Sequence, residues 1–103
     1  MNYGVSFDPD ALDQLMALER HLVRVAHPPV VDAYLTAVIA YCEGLGVLPH
    51  GGTSRSDLRP GLRTSSYKKG VLVAYVVDDR LRNVTVLGIF FGGQDFESLL
   101  EGE

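Results

Sequence analysis

Apolar and polar positions alternate at the start of the chain, with Tyr3, Val5 and Phe7 set against Asn2, Gly4 and Ser6. A period of two predicts a short strand with one buried face. The period then changes. Asp8 is a natural N-cap, Pro9 suits the first helical position, and Asp10 sits near the positive end of a helix dipole. Leu12, Leu15, Met16, Leu22, Val23 and Ala26 follow at helical spacing and form the expected buried stripe, with Asp13, Glu19, Arg20 and Arg24 outside. Pro28 and Pro29 interrupt the pattern and predict a helix end near Ala26. A second helix is predicted from about Val30, on a stripe of Val31, Tyr34, Leu35, Val38, Cys42 and Leu45. Gly44 and Gly46 are expected to close it in the left-handed conformation that helix C-caps use. The short Pro-rich connection predicts an antiparallel helical hairpin.

Residues 47–61, VLPHGGTSRSDLRPG, carry the composition of a loop. Three strand-like runs come next: Leu62 to Tyr67, mostly polar; Val71 to Val77, strongly apolar; and Val84 to Phe91. The breaks at Lys69–Gly70 and Asp78–Arg82 are turn-sized, so an antiparallel meander is expected. After Gly92–Gly93, the segment QDFESLL fits one or two helical turns with Phe96, Leu99 and Leu100 on one side. The order β-α-α-β-β-β with a short C-terminal helical tail reads as one α+β domain over residues 1–103. In it the helical hairpin packs on one face of a small antiparallel-rich sheet. The first strand must rejoin the sheet after the hairpin, beside the last long strand or one of its neighbours.

Charge sharpens this picture. The 103 residues carry net charge −4, but the charges are segregated. Six acids face two bases in residues 1–54, seven bases face three acids in 55–82, and four acids stand alone in 83–103. The stretch SRSDLRPGLRTSSYKKG holds Arg55, Arg59, Arg63, Lys68 and Lys69 against the single acid Asp57. Such segregation acts on encounter with charged partners more than on fold. The run either structures its own loop and strand, Asp57 pairing with Arg59 or Arg63, or binds acidic groups on a partner. Arginine suits bidentate recognition of carboxylates. Five bases on an acidic chain lack the broad positive surface that phosphate binding draws on, so direct nucleic-acid binding is not expected.

Little points to catalysis. His21, His27 and His50 are scattered, with no ligand-like spacing to one another or to Cys42, and no metal or cofactor is expected. His50 alone lies beside the basic run. GLGVLPHGG lacks the Gly-Lys-Ser/Thr ending of a P-loop, and the serines have no partner histidine. Cys42 falls on the buried stripe and reads as packing. With one cysteine no intrachain disulfide can form, which favours a reducing compartment. No basic start followed by a long apolar run marks a signal peptide, and the longest apolar segment is too short to span a bilayer, so a cytoplasmic protein is expected.

Read together, DLRPGLRTSSYKKGVLVAYVVDD and VTVLGIFFGGQDFESLL resemble the RelE/ParE superfamily of toxins from type II toxin–antitoxin systems. The pattern is Leu-x-Pro-Gly-Leu-Arg before a strand, Tyr and a basic pair, an apolar strand, an Asp-rich turn, and a strand ending in Gly-Gly-Gln-Asp-Phe. That ending and the acidic, hydrophobic tail look more like ParE than RelE. The resemblance implies a growth-inhibiting toxin held in a hetero-oligomer by a cognate antitoxin. ParE-like members poison DNA gyrase, whereas RelE-like members cut messenger RNA on the ribosome. The latter use Lys and Arg on the central strands and Arg, His or Tyr near the end of the last strand. Here that strand ends in Phe90 and Phe91, which cannot transfer protons. The resemblance therefore implies a binding-type toxin directed at gyrase. The alternatives are a RelE-like ribosome-dependent endoribonuclease, or a non-toxic member that keeps only its antitoxin. No catalytic residue is expected. Arg59, Arg63, Tyr67, Lys68, Lys69, Arg82, Phe91 and Phe96 are the candidate antitoxin- or target-binding residues. Val30, Ala37 and Tyr41, off the main stripe of the second helix, form a second apolar strip able to hold a partner helix or to border the core.

Overall fold

The computed structural model describes residues 2–68, 70–92, 94 and 97. Its elements are β1 (Gly4–Phe7), α1 (Pro9–Leu22), α2 (Pro28–Gly44), β2 (Thr53–Ser54), β3 (Leu62–Tyr67), β4 (Val71–Asp78) and β5 (Asn83–Phe91). They build a five-stranded sheet in the order β1-β5-β4-β3-β2, with α1 and α2 on one face. The α+β class and the antiparallel meander agree with the expectation. β1 lies parallel to β5, Gly4 opposite Asn83 and Phe7 opposite Val86, while every other pairing is antiparallel.

The helix ends differ from the sequence reading. Pro28 and Pro29 begin α2 rather than only ending α1, because a proline in the first turn gives up an N–H that has no helical partner anyway. α1 stops at Leu22, and 23–26 continue as turns, in which Val25 and Ala26 donate to the Leu22 carbonyl. Asp8 occupies the N-cap of α1, yet it caps with its main-chain carbonyl, which accepts from Ala11 and Leu12, and its side chain makes no cap bond. Gly44 and Gly46 are not left-handed, and α2 runs out through a right-handed Leu45. Gly46 serves another purpose: its carbonyl accepts the Tyr3 N–H at 2.8 Å, at a crossing so close that a Cβ would lie 2.2 Å from the Tyr3 carbonyl oxygen. The expected loop 47–61 also contributes the edge strand β2. Apart from Gln94 and Glu97, the expected C-terminal helical turns lie outside the described residues.

The core sits between helices and sheet. Ala11 and Leu18 of α1, Val38 and Cys42 of α2, and Val73, Tyr75, Val84, Val86 and Ile89 of the sheet are buried together. The α2 stripe matches the expectation. The α1 stripe does not: Leu15 and Leu22 pack inward beside Ala11 and Leu18, while Leu12, Met16 and Val23 stay exposed. Burial pushes the Cys42 thiol up to about 11.

β5 changes sides within its length. Ala74 pairs with Gly88 but Tyr75 pairs with Val86, so Leu87 is one residue too many. This bulge moves the helix-facing positions from Val84 and Val86 to Ile89 and Phe91. The Ile89 N–H, at the bulge, donates to the Gln14 side-chain oxygen of α1 at 2.6 Å. Gln14→Leu leaves that N–H without an acceptor. The expected loss is about 1–3 kcal/mol in urea unfolding, with Gln14→Glu retaining more stability.

Candidate functional site

The basic run divides into separate tasks. Arg55 pairs with Asp57 through two hydrogen bonds of 3.0 and 2.9 Å, and its guanidinium also reaches Glu97 at 2.5 Å. Asp57 therefore pairs with Arg55, not with Arg59 or Arg63 as expected. The fork geometry holds the Asp57 carboxyl below its ordinary range and the Arg55 guanidinium above its own. Arg63 points under the preceding loop and donates to the carbonyls of His50 and Gly52, both at 2.8 Å, with its Nε buried. Arg59 closes the 55–62 turn through its carbonyl, which accepts from Leu62. Arg55 and Arg63 are thus tethers for the 47–58 segment.

The other candidates gather at the opposite end of β3. Tyr67 stacks edge-on against Tyr34 of α2 at 6.1 Å and tilted against Tyr41 at 5.1 Å. The Tyr41 hydroxyl is hydrogen-bonded to the Ser65 hydroxyl and donates to the Ser66 carbonyl at 3.0 Å. Lys68 places its ammonium 5.5 Å from the Tyr67 ring centre, a cation–π distance. Its backbone is left-handed, φ 52°, which costs a residue with a Cβ roughly 1 kcal/mol. Tyr34, Tyr67 and Lys68 line a groove of about 440 Å³ with Pro29, Val30, Ala33 and Ala37. The second apolar strip of α2 is thus open to solvent at Val30, and Tyr41 borders a separate recess with Leu45, Leu48 and Ser65.

Phe91 is half-buried beneath His21, ring centres 5.4 Å apart, at the end of β5. Arg82 lies at the far end of the sheet in the β4–β5 turn, also left-handed at φ 53°, and its carbonyl accepts the Gly4 N–H. The structure therefore brings Tyr67 and Lys68 together, and leaves Arg63 and Arg82 apart from them. Lys69 and Phe96 lie outside the described residues.

The sheet face away from the helices is the other large surface. Register sets Leu62, Thr64 and Ser66 of β3 opposite Val76, Ala74 and Leu72 of β4, with Thr85, Gly88 and Phe90 alongside on β5. Leu62, Ala74 and Phe90 are buried there under Leu58, Leu72, Val76 and Leu87. These positions offer hydroxyls and hydrocarbon, and none titrates near neutral pH.

Sequence reasoning passed over one polar cluster. Asp79 accepts from the Tyr3 hydroxyl and meets His50 Nε2, both at 2.7 Å. Partners 76 and 29 residues away leave no local signal of this meeting. The Tyr3 hydroxyl first, then His50, holds the Asp79 carboxyl below its usual value, and Asp79 in turn raises the Tyr3 phenol. A carboxyl depressed on folding stabilises above its unfolded pKa and loses that contribution as pH falls through the folded value. Acid unfolding monitored by circular dichroism is therefore expected to show a loss of stability below about pH 4 that Asp79→Asn reduces. Asp57, depressed by Arg55, adds in the same window. Among the described residues no group of three His, Cys, Asp or Glu side chains could hold a metal, and no helix is long and apolar enough to cross a membrane.

No protein-family model matches the sequence, and no curated protein matches it. Solved structures do. A chain of the chromosomal ParDE toxin–antitoxin system from P. aeruginosa superimposes with a TM-score of 0.73 at 18% identity, over 86% of this chain and 95% of that one. A chain of the toxin–antitoxin complex RelBE2 from Mycobacterium tuberculosis gives 0.63 at 21% identity, over 89% and 100%. A doubly substituted E. coli toxin RelE in the free state gives 0.60 at 16% identity, over 99% and 96%. The protein has the RelE/ParE toxin fold.

Proposed function

We propose that this chain, which has the RelE/ParE fold, is the toxin of a type II toxin–antitoxin pair. It acts in the cytoplasm as a single domain that binds its target, DNA gyrase, without catalysing a reaction, and a cognate antitoxin neutralises it in a hetero-oligomer. The observation that carries the non-enzymatic part is the composition of the sheet face turned away from the helices. Leu62, Thr64, Leu72, Ala74 and Phe90 provide no group to take a proton from a 2′-hydroxyl or return one to a leaving oxygen. The similarity to a ParDE chain along most of both lengths supports the ParE side.

The antitoxin-facing surface on this reading is the Tyr34–Tyr67–Lys68 groove, whose apolar floor and Lys68 ammonium suit a helical or extended segment that carries a carboxylate. Val30 is 57% exposed there, so Val30→Asp is expected to weaken antitoxin binding by about tenfold or more, ~1.4 kcal/mol, without a loss of melting temperature. Calorimetric titration measures it.

The deciding experiment is induced expression followed by a gyrase supercoiling assay with purified protein. Inhibition of supercoiling, a DNA-damage response and intact transcripts are expected. Similarity to RelBE2 and RelE chains supports a second reading, a ribosome-dependent endoribonuclease, which instead gives transcripts cleaved at translating ribosomes and loses activity on Arg59→Ala or Lys68→Ala. A member retaining only antitoxin binding gives neither phenotype.

A further inference from the structure

We infer that the outer face of α1 is an interface for a second copy of this chain, two α1 helices packing antiparallel about a two-fold axis near residues 17 and 18. This does not depend on the toxin reading. α1 buries Ala11 and Leu18 against the sheet and leaves Leu12 47%, Met16 50% and Val23 56% exposed. Steps of four, four and three place Leu12, Met16, Arg20 and Val23 along one strip, with Asp13 and Arg24 at its border. Nothing in the sheet or in α2 requires apolar side chains there.

The charges on this strip identify the occupant. The acids Asp10 and Asp13 lie in the N-terminal half of the helix, and Arg20 and Arg24 at or just beyond its C-terminal end, while the one acid of the C-terminal half, Glu19, borders the strip on its other side, one position from Arg20. That order suits the helix dipole, and it also makes the face self-complementary. Antiparallel pairing sets Leu12 against Val23 of the partner subunit and brings Asp13 within reach of the partner's Arg20 and Arg24, twice by symmetry. Among the described residues, no side-chain hydrogen bond or ion pair within the chain engages Asp13, Arg20 or Arg24. A groove of about 570 Å³, lined by Ala17, Arg20, His21, Val23, Arg24 and Phe91, opens beside the strip and in this dimer receives the Leu12 and Met16 side chains of the other copy. A helix of 14 residues is ~21 Å long. One helix pair buries less than a standard interface, so the expected affinity is roughly micromolar.

Sedimentation velocity of the purified chain from about 1 µM to 1 mM tests this. The expected result is a reversible dimer, tightened at low salt and weakened at least tenfold by Met16→Glu. Asp13→Arg and Arg20→Asp each weaken it through like-charge contacts. An equimolar mixture of those two variants restores the dimer, because opposite charges then meet at both symmetry-related sites. Circular dichroism checks that each exposed-site variant keeps its fold. A chain that sediments as a monomer throughout, a dimer indifferent to these substitutions, or a mixture no tighter than either variant alone overturns the proposal. The first outcome leaves the face to another protein, such as an antitoxin helix.

Discussion

Tyr75→Ala is expected to remove about 3–5 kcal/mol of folding stability, measured by urea denaturation. Tyr75 is fully buried at the centre of β4, the largest fully buried side chain, packed among Val73, Val84 and Val86 beneath the helices. Its ring belongs to the core that Val38 and Cys42 of α2 share with the sheet, and alanine leaves a void that the neighbouring strands cannot close without breaking their ladder. The hydroxyl has a second duty, accepting the Gly52 N–H at 3.0 Å. Tyr75→Phe separates the two roles: packing remains and only the loop N–H loses its acceptor, for about 1–2 kcal/mol. Domains of this size hold only about 5–15 kcal/mol in total. The alanine variant is therefore expected to be largely unfolded in modest urea, where the phenylalanine variant is not.

Gly46→Ala is expected to cost about 3 kcal/mol and to act on one strand. The new methyl carbon meets the Tyr3 carbonyl oxygen at 2.2 Å and Val5 Cγ2 at 3.2 Å. The first contact is backbone, so it cannot be relieved by turning a side chain. β1 must move, and among the described residues β5 is its one strand partner. Hydrogen exchange is the sensitive measurement. Protection at the Gly4 and Asp8 N–H groups, bonded to Arg82 and Val86 carbonyls, is expected to fall before that of β4. Gly44→Ala, two residues earlier with nothing within 4 Å of its added carbon, is the control and is expected to be neutral or slightly stabilising. Equal losses at both glycines would mean that helix termination, not the crossing, matters at Gly46.

Where the sequence was readable, it was because one face of an element is buried and the other is not. The α2 stripe, the three long strands and the turns between them follow from period alone. α1 misled for a physical reason. It carries two apolar strips about a third of a turn apart, and Leu12, Met16 and Val23 are as greasy as the residues that reach the sheet. Burial is settled by what lies opposite, which periodicity does not record. The bulge at Leu87 is hidden in the same way, since VTVLGIFF is apolar on both sides of it. The site was legible in part. Tyr67 and Lys68 do flank a groove with the off-stripe residues of α2. Arg55 and Arg63, which gave the basic run much of its prominence, are engaged: Arg55 by its near neighbour Asp57 and by Glu97, 42 residues away, and Arg63 by the carbonyls of His50 and Gly52, which folding brings near. The Tyr3–Asp79–His50 meeting had no trace along the chain.

The parallel match of β1 with β5 fixes an order of events during synthesis. Gly4 waits for Asn83, and Phe7 for Val86. A nascent polypeptide halted anywhere before the final strand has a first strand with no dock, a helix pair with half its floor missing, and apolar side chains open to chaperones and proteases. Closure of the sheet at β1 thus waits until β5 has been made, when the residues of β1 are captured by ones some 79 positions later.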